Sequence, residues 1–313
     1  MSIAKLLKIK YPLIQGGMAN ISTASFAATI SNIGALGVIA SGSMTPEMLE
    51  EALVECQQLT TQPFGVNLML MNPYCDQMVK LIIKYKVPVV TTGAGNPGIY
   101  LEELKTAGII VIPVVPSVAF ASRMERAGAD AVIVEGTEAG GHIGELTTMA
   151  LVPQVVEKVK IPVIAAGGIA SGKQLLAAIT LGAQGVQVGT CLLVAKECPI
   201  HDNYKETVMK ARDTDTIVTG RISGIPVRIY KNTMSRNYVA LEKEGKSKEE
   251  LEHLTLGGLK KAVFDGDMRD GSVMIGQVAG MLKEVKPAKE IIEGLFAEAN
   301  SELNHLQQRW EVI

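Results

Sequence analysis

The sequence predicts a parallel (β/α)8 barrel of the TIM type, and three observations predict it. Short apolar runs rich in Val and Ile alternate with amphipathic helical patterns through the first two thirds of the chain. Within the runs, apolar and polar residues do not alternate, which is how strands covered on both faces read. There are eight such runs, each separated from the next by room for one crossover. An open doubly wound sheet is the alternative architecture for the same rhythm.

The expected strands are residues 11–15, 36–40, 64–70, 87–92, 109–115, 131–135, 161–165 and 185–189. Helical patterns lie between them at 45–59, 75–86, 99–107, 118–127, 151–159 and 172–181. Thr45-Pro46 sets an N-cap ahead of a proline at the first helical position. Gly108, Gly128 and Gly182 stand at helix ends, where a positive φ is often needed. After Thr190 the rhythm stops. Residues 1–197 are read as the barrel and 198–271 as an insertion capping its mouth, with a polar helical segment at 238–254. Residues 272–313 are read as C-terminal helices packing back on the barrel, one of small residues at 272–282 and one amphipathic at 288–303.

The totals limit the function classes. A chain of 313 residues with 47% hydrophobic and 20% charged residues can bury a large core. Its formal net charge of −2 gives no global attraction to nucleic acid or anionic membrane. No apolar run reaches the ~20 residues that span a bilayer, and residues 1–10 do not read as a secretory signal. Cys56, Cys75, Cys191 and Cys198 form no CxxC, so they read as reduced cytoplasmic thiols. The four histidines are far apart, which argues against a zinc site.

Three glycine clusters fall on loops that follow strands. Gly93 to Gly98 fits GxGxxG, but the next strand carries no acid to hold a ribose and Pro97 sits inside the turn. A dinucleotide fingerprint is therefore rejected. Gly167 to Lys173 fits the start of a P-loop, but Gln174 stands where magnesium needs Ser or Thr. The same glycines follow the seventh strand and precede a helix, so their backbone N–H groups suit an anion. Val188-Gly189-Thr190 ends the eighth strand, and barrels commonly bind phosphate after strands seven and eight. The third cluster, Val134 to Glu145, sets His142 among glycines on the same rim. Glycines permit close approach to a planar ligand but do not hold a side chain, so another element must fix His142.

Taken in order, further stretches carry a family resemblance over nearly the whole chain: Tyr11 to Met18, Gly65-Val66-Asn67, Thr91 to Pro97, and the run 110–117. Glu135-Gly136 with Ala139 to Gly144, Ala165 to Ala170, Gln187 to Thr190, and Gly271 to Met274 complete the set. The chain resembles the FMN-dependent enoyl-acyl-carrier-protein reductases II of bacterial fatty acid synthesis. These belong with the nitronate monooxygenases (2-nitropropane dioxygenases) in one flavin-barrel superfamily. The stretches NLMLMNPY, IPVVPSVAFASRMERAGADAVI and DGSVMIGQVAG favour the reductase branch.

The resemblance implies FMN at the barrel mouth. Gly16, Gly17 and Met18 would contact the isoalloxazine through backbone, and Asn67 its polar edge. Gly167, Gly168, Gly189 and Thr190 would hold the phosphate, with Gln187 nearby. Glu135 would meet the ribityl or ring region, Gly140 and Gly141 would bring their loop close, and Met274 and Gln277 would close over the flavin. His142 is the catalytic candidate, as hydrogen-bond donor or proton source in enoyl reduction, unless loop N–H groups do the polarising. NADH is the implied reductant, with NADPH as the alternative, and a monovalent cation is a further candidate ligand. In a nitronate monooxygenase the same histidine would act as a base. A flavin sensor or store without turnover is the non-enzymatic alternative. The implied partner is an acidic acyl carrier protein and the implied assembly a homodimer. From 217 to 241 the chain carries Arg221, Arg228, Lys231 and Arg236 and no acid, a segment that could dock such a carrier.

Overall fold

The computed structural model describes residues 2–310. Residue 1 of the first expected unit and residues 311–313 of the third lie outside the described residues. The strands are β1 (Leu13–Gln15), β2 (Gly37–Ala40), β3 (Phe64–Met69), β4 (Val89–Gly93), β5 (Ile110–Val115), β6 (Val132–Glu135), β7 (Gly141–His142), β8 (Val163–Ala166), β9 (Gly185–Val188), β10 (Thr216–Thr219) and β11 (Val227–Tyr230). Eight of them form one parallel ladder in the order β1-β9-β8-β6-β5-β4-β3-β2. A bridge between Ile14 and Leu36 brings its two ends together, so the sheet is a (β/α)8 barrel and not an open one. These eight strands match the eight expected runs, with ends moved by one or two residues.

The barrel interior is filled by Ile14, Val38, Val89, Ile112, Ile133 and Ile164, together with Ile3 and Leu7 of a short opening helix α1 (Ile3–Leu7). Around the barrel lie α2 (Ala24–Ile33), α3 (Pro46–Leu59), α4 (Cys75–Lys84), α5 (Gly98–Thr106), α6 (Val118–Arg126), α7 (Thr148–Lys158) and α8 (Gly172–Thr180). Thr23, Thr45, Ser117 and Ser171 cap four of these, each accepting a backbone N–H from the first turn. The four cysteines are buried and unpaired. Among the described residues, no helix is long and apolar enough to cross a membrane.

Beyond the barrel run α9 (Asp202–Lys210), α10 (Thr233–Lys243), α11 (Lys248–Thr255), α12 (Gly258–Lys260) and α13 (Ala288–Trp310). The polar segment expected as one helix at 238–254 is two, because Gly245 turns at a φ of 77° and Ser247 opens α11 with a capping box. The small-residue helix expected at 272–282 is absent. Residues 272–276 lack regular structure and 277–281 make one 3-10 turn, since 272–276 spends its backbone groups on neighbours: Tyr230 N donates to Val273 O at 2.8 Å and Gly276 N to Thr190 Oγ1 at 2.9 Å. The three-stranded antiparallel sheet β10-β11-β7 was not legible in the sequence.

Candidate active site

The C-terminal ends of the barrel strands surround a cleft of about 570 Å³, a usual size for a small-molecule site. Gly16, Gly17, Met18, Asn67, Glu135, Gly140, Gly141, His142, Gly167, Gly168, Gln187, Gly189, Thr190 and Met274 all line it. Gln277 does not. Its backbone N–H is spent on Glu138 O at 3.0 Å and its side chain is exposed, while Val278, the next residue of the turn, faces the cleft.

The floor is set by the loop after β1. Gly16 N donates to Val188 O at 2.8 Å. Ser22 Oγ donates to Gly16 O and accepts from Met18 N, both at 3.0 Å, and the buried Gln15 reaches Ser22 Oγ at 3.1 Å. A Cβ on Gly17 would stand 2.4 Å from Asn67 Cβ, so only glycine lets this backbone lie against Asn67. Asn67 Nδ2 in turn donates to Thr91 Oγ1 at 3.0 Å.

The anion corner is narrower than the sequence suggested. At the start of α8, Gly172 N is taken by Glu298 Oε2 of α13 at 2.6 Å, Gln174 N by Ser171 Oγ, and Ala170 N by Gln174 Oε1. Gly172 serves helix packing, since a Cβ there would stand 2.3 Å from Ala299 N. Among the described residues, the amides of Gly167, Gly168 and Gly189 donate to no protein acceptor. Gly167 and Gly168 hold φ of 88° and 74°, and β8 and β9 are neighbours, so these unspent donors share one corner of the cleft. Donors free in this way fit a phosphate.

His142 is fixed by backbone, not by its glycines. It lies on β7 opposite Val227 of β11, and Ile143 N donates to Pro226 O at 3.1 Å. The ring reaches solvent at the rim, yet surrounding protein still pulls its pKa below the ordinary value by desolvation. Behind the loop the guanidinium of Arg228 is buried, donating through Nε to Thr137 O and through Nη1 to Thr216 Oγ1, both at 3.0 Å. Arg228 therefore braces the histidine loop and cannot meet a partner, which removes it from the docking set. Arg221 is exposed and paired with Glu145 at 2.8 Å, Lys231 is bonded to Thr214 O, and Arg236 is exposed.

Two further residues were missed. Glu138 receives Thr148 N on both carboxylate oxygens at 3.0 Å, capping α7. Thr148 Oγ1 bonds Glu138 Oε2 at 3.1 Å and Gly167 O at 2.9 Å, tying the histidine loop to the anion corner. Glu138 stood in the third glycine cluster, but nothing in the sequence marked Thr148 as its partner. Met274, over the cleft, is held where Tyr204 Oη donates to its carbonyl at 2.9 Å.

The carboxyl of Glu135, at the end of β6, has no hydrogen-bond partner among the described residues, and burial pushes it up to about 8 from 4.5. In protein freed of bound cofactor, the folded state keeps this proton between those values while the unfolded chain releases it. Stability should therefore fall as pH rises from about 4.5 to about 8 and level off above. Glu135→Gln is expected to melt higher than wild type at pH 8, by a margin that shrinks toward pH 5. An equal margin at both values would show that the carboxyl ionises normally.

A family model described as nitronate monooxygenase matches residues 1–76 and 69–298. The chain superposes on the structure of FabK from Thermotoga maritima with a TM-score of 0.96 and 46% identity, covering 99% of each chain. It is 37% identical over 277 residues to a probable nitronate monooxygenase of Staphylococcus haemolyticus, covering 74% of this chain and 78% of that one. It is also 30% identical over 342 residues to a bicyclic indene-carboxyl-CoA dehydrogenase of Rhodococcus jostii, covering 97% of each.

Proposed function

Because the chain belongs to the nitronate monooxygenase family of FMN oxidoreductases, we propose that it is an enoyl-acyl-carrier-protein reductase, reducing a trans-2-enoyl thioester to the saturated thioester at the last step of a fatty acid elongation cycle. The observation that carries this choice is the 46% identity to FabK over 99% of both chains. The reductant in this reading is NADH, with NADPH as alternative, and a monovalent cation is a further ligand. The protein is taken as a cytoplasmic homodimer.

Bound FMN would supply the redox chemistry, hydride transfer from a reduced nicotinamide to the β-carbon of the enoyl thioester. The protein's part is holding and polarising. The free amides of Gly167, Gly168 and Gly189 would hold the phosphate, with Thr190 and Gln187 beside them. The close-lying backbone of Gly16, Gly17 and Met18 would support the ring, with Asn67 at its polar edge. As hydride arrives, negative charge grows on the thioester oxygen. His142, neutral at pH 7 given its lowered pKa, keeps one N–H, which would donate to that oxygen or deliver the proton that the α-carbon must take up to complete the saturated thioester. Glu135, whose carboxyl burial pushes up, faces the same cleft and in its protonated form would have an O–H to donate at the ribityl or ring region. Arg221, Lys231 and Arg236 remain as docking cations for an acidic carrier.

The names of several relatives favour a second reading, in which neutral His142 acts as base on a nitroalkane and oxygen is the electron acceptor. Purified protein is expected to be yellow, with FMN bound to each chain, and under anaerobic conditions to oxidise reduced nicotinamide beyond the one equivalent that bleaches its FMN only when crotonyl thioester is added. A colourless protein that gains no thermal stability from FMN would overturn the cofactor assignment, since a ligand at 100 times its Kd adds about 2.7 kcal/mol. Turnover with nitronate and oxygen, but none with crotonyl thioester, would move the protein to the second reading.

A further inference from the structure

One stretch of the cleft rim carries no polar side chain. Around its rim, β9 and β8 bring the free amides to one side of β6, which carries Glu135 and leads to His142, while β5 stands on the other side. Past His142 the lining is Val114 at the end of β5, Pro116 of the loop after it and Phe120 in the first turn of α6, with Ile143. A Cβ on Gly144 would stand 2.9 Å from Pro116 Cβ, so the β5 loop and the histidine loop abut and these side chains form one wall. None of the four carries a polar group. Val114 and Phe120 are half-buried, with apolar surface turned to the cleft.

We infer that this wall binds the acyl chain of the substrate, so that a hydrocarbon tail lies on Val114, Pro116, Phe120 and Ile143 while the thioester sits at His142; the inference rests on the enoyl-reductase reading. A nicotinamide dinucleotide is the other molecule that must reach this cleft. Its phosphates and hydroxyls require donors or cations, and this wall offers none. An alkyl chain needs only the apolar cover, and each methylene buried is worth about fourfold in affinity.

Gly93 gives access to the wall. Thr92 pairs with Pro113, which places Gly93 abreast of Val114. A Cβ on Gly93 meets no atom within 4 Å, and its φ is not positive, so a side chain there fills open cleft without strain. The test uses FMN-loaded wild type, Gly93→Leu and Phe120→Ala with crotonyl and dodecenoyl thioesters. Both variants should lose roughly tenfold or more in kcat/KM for dodecenoyl thioester. They should stay within about threefold for crotonyl thioester and for reduction of the bound FMN by nicotinamide. If wild type reduces both thioesters and the variants treat both lengths alike, the chain lies elsewhere and this inference falls while the enoyl-reductase reading stands. If the variants slow the nicotinamide step as much as the dodecenoyl step, the wall serves the nicotinamide and the inference also falls. If wild type reduces neither thioester, the reading falls and takes the inference with it. Should Phe120→Ala fail to fold, Gly93→Leu decides alone.

Discussion

Replacing His142 with alanine is expected to leave FMN bound and to slow hydride delivery to crotonyl thioester by about 10²–10³-fold, roughly 2.7–4 kcal/mol in the barrier. The loss should be confined to that step because of how the residue is held. Its backbone is fixed by β11 through the Val227 pairing, and its imidazole makes no hydrogen bond to the protein among the described residues. Truncating the ring therefore removes a donor from the cleft without freeing the loop, which Arg228 and Glu138 continue to anchor. Stopped-flow absorbance separates the two half-reactions. Nicotinamide-driven bleaching should keep its wild-type rate, and the return of colour on adding crotonyl thioester should slow. Equal slowing of both would mean a displaced flavin, and no slowing of either would make His142 a packing residue.

The barrel was legible because its strands are buried on both faces and so read as unbroken Val/Ile runs between amphipathic helices. The rim positions followed, since every βα loop of such a barrel opens on the same side. What the sequence hid was set by contacts distant along the chain. The strand that fixes His142 is paired with residues 227–228, and β7 is two residues long, too short for any pattern. Gly172 looked like part of an anion loop, but it is glycine because α13 crosses it, and Glu298 lies 126 residues away. Arg228 looked like surface charge because neither Thr137 O nor Thr216 Oγ1 announces itself as its acceptor. Gln277 was assigned to the cleft by the family resemblance, whereas a 3-10 turn begins there and leaves its side chain exposed.

Gly168→Asp is expected to abolish FMN binding while the barrel stays folded. Space is not the obstacle, because a Cβ at this position would stand 3.5 Å from Glu138 Cβ, an ordinary contact. Two other effects act together. The φ of 74° is costly for a residue with a side chain, so the loop that presents the Gly167 and Gly168 amides is strained or shifted. The new carboxylate then stands at the corner where a phosphate dianion would bind, and two anions there repel. The strain lies in one surface loop, so circular dichroism should be unchanged and thermal stability only modestly lower. Fluorescence titration should give an FMN affinity at least about 100-fold weaker, which corresponds to about 2.8 kcal/mol. Wild-type affinity in this variant would place the phosphate away from β8 and β9.

The most direct test of the enoyl-reductase account is a single anaerobic turnover. FMN-loaded protein is reduced with one equivalent of reduced nicotinamide cofactor, mixed with crotonyl thioester, and followed by absorbance, with the product identified by mass. The account predicts that the yellow colour returns without oxygen and that butyryl thioester appears in step with it. It is contradicted if the reduced protein stays bleached with crotonyl thioester until air is admitted, while the oxidised protein is bleached by a nitronate.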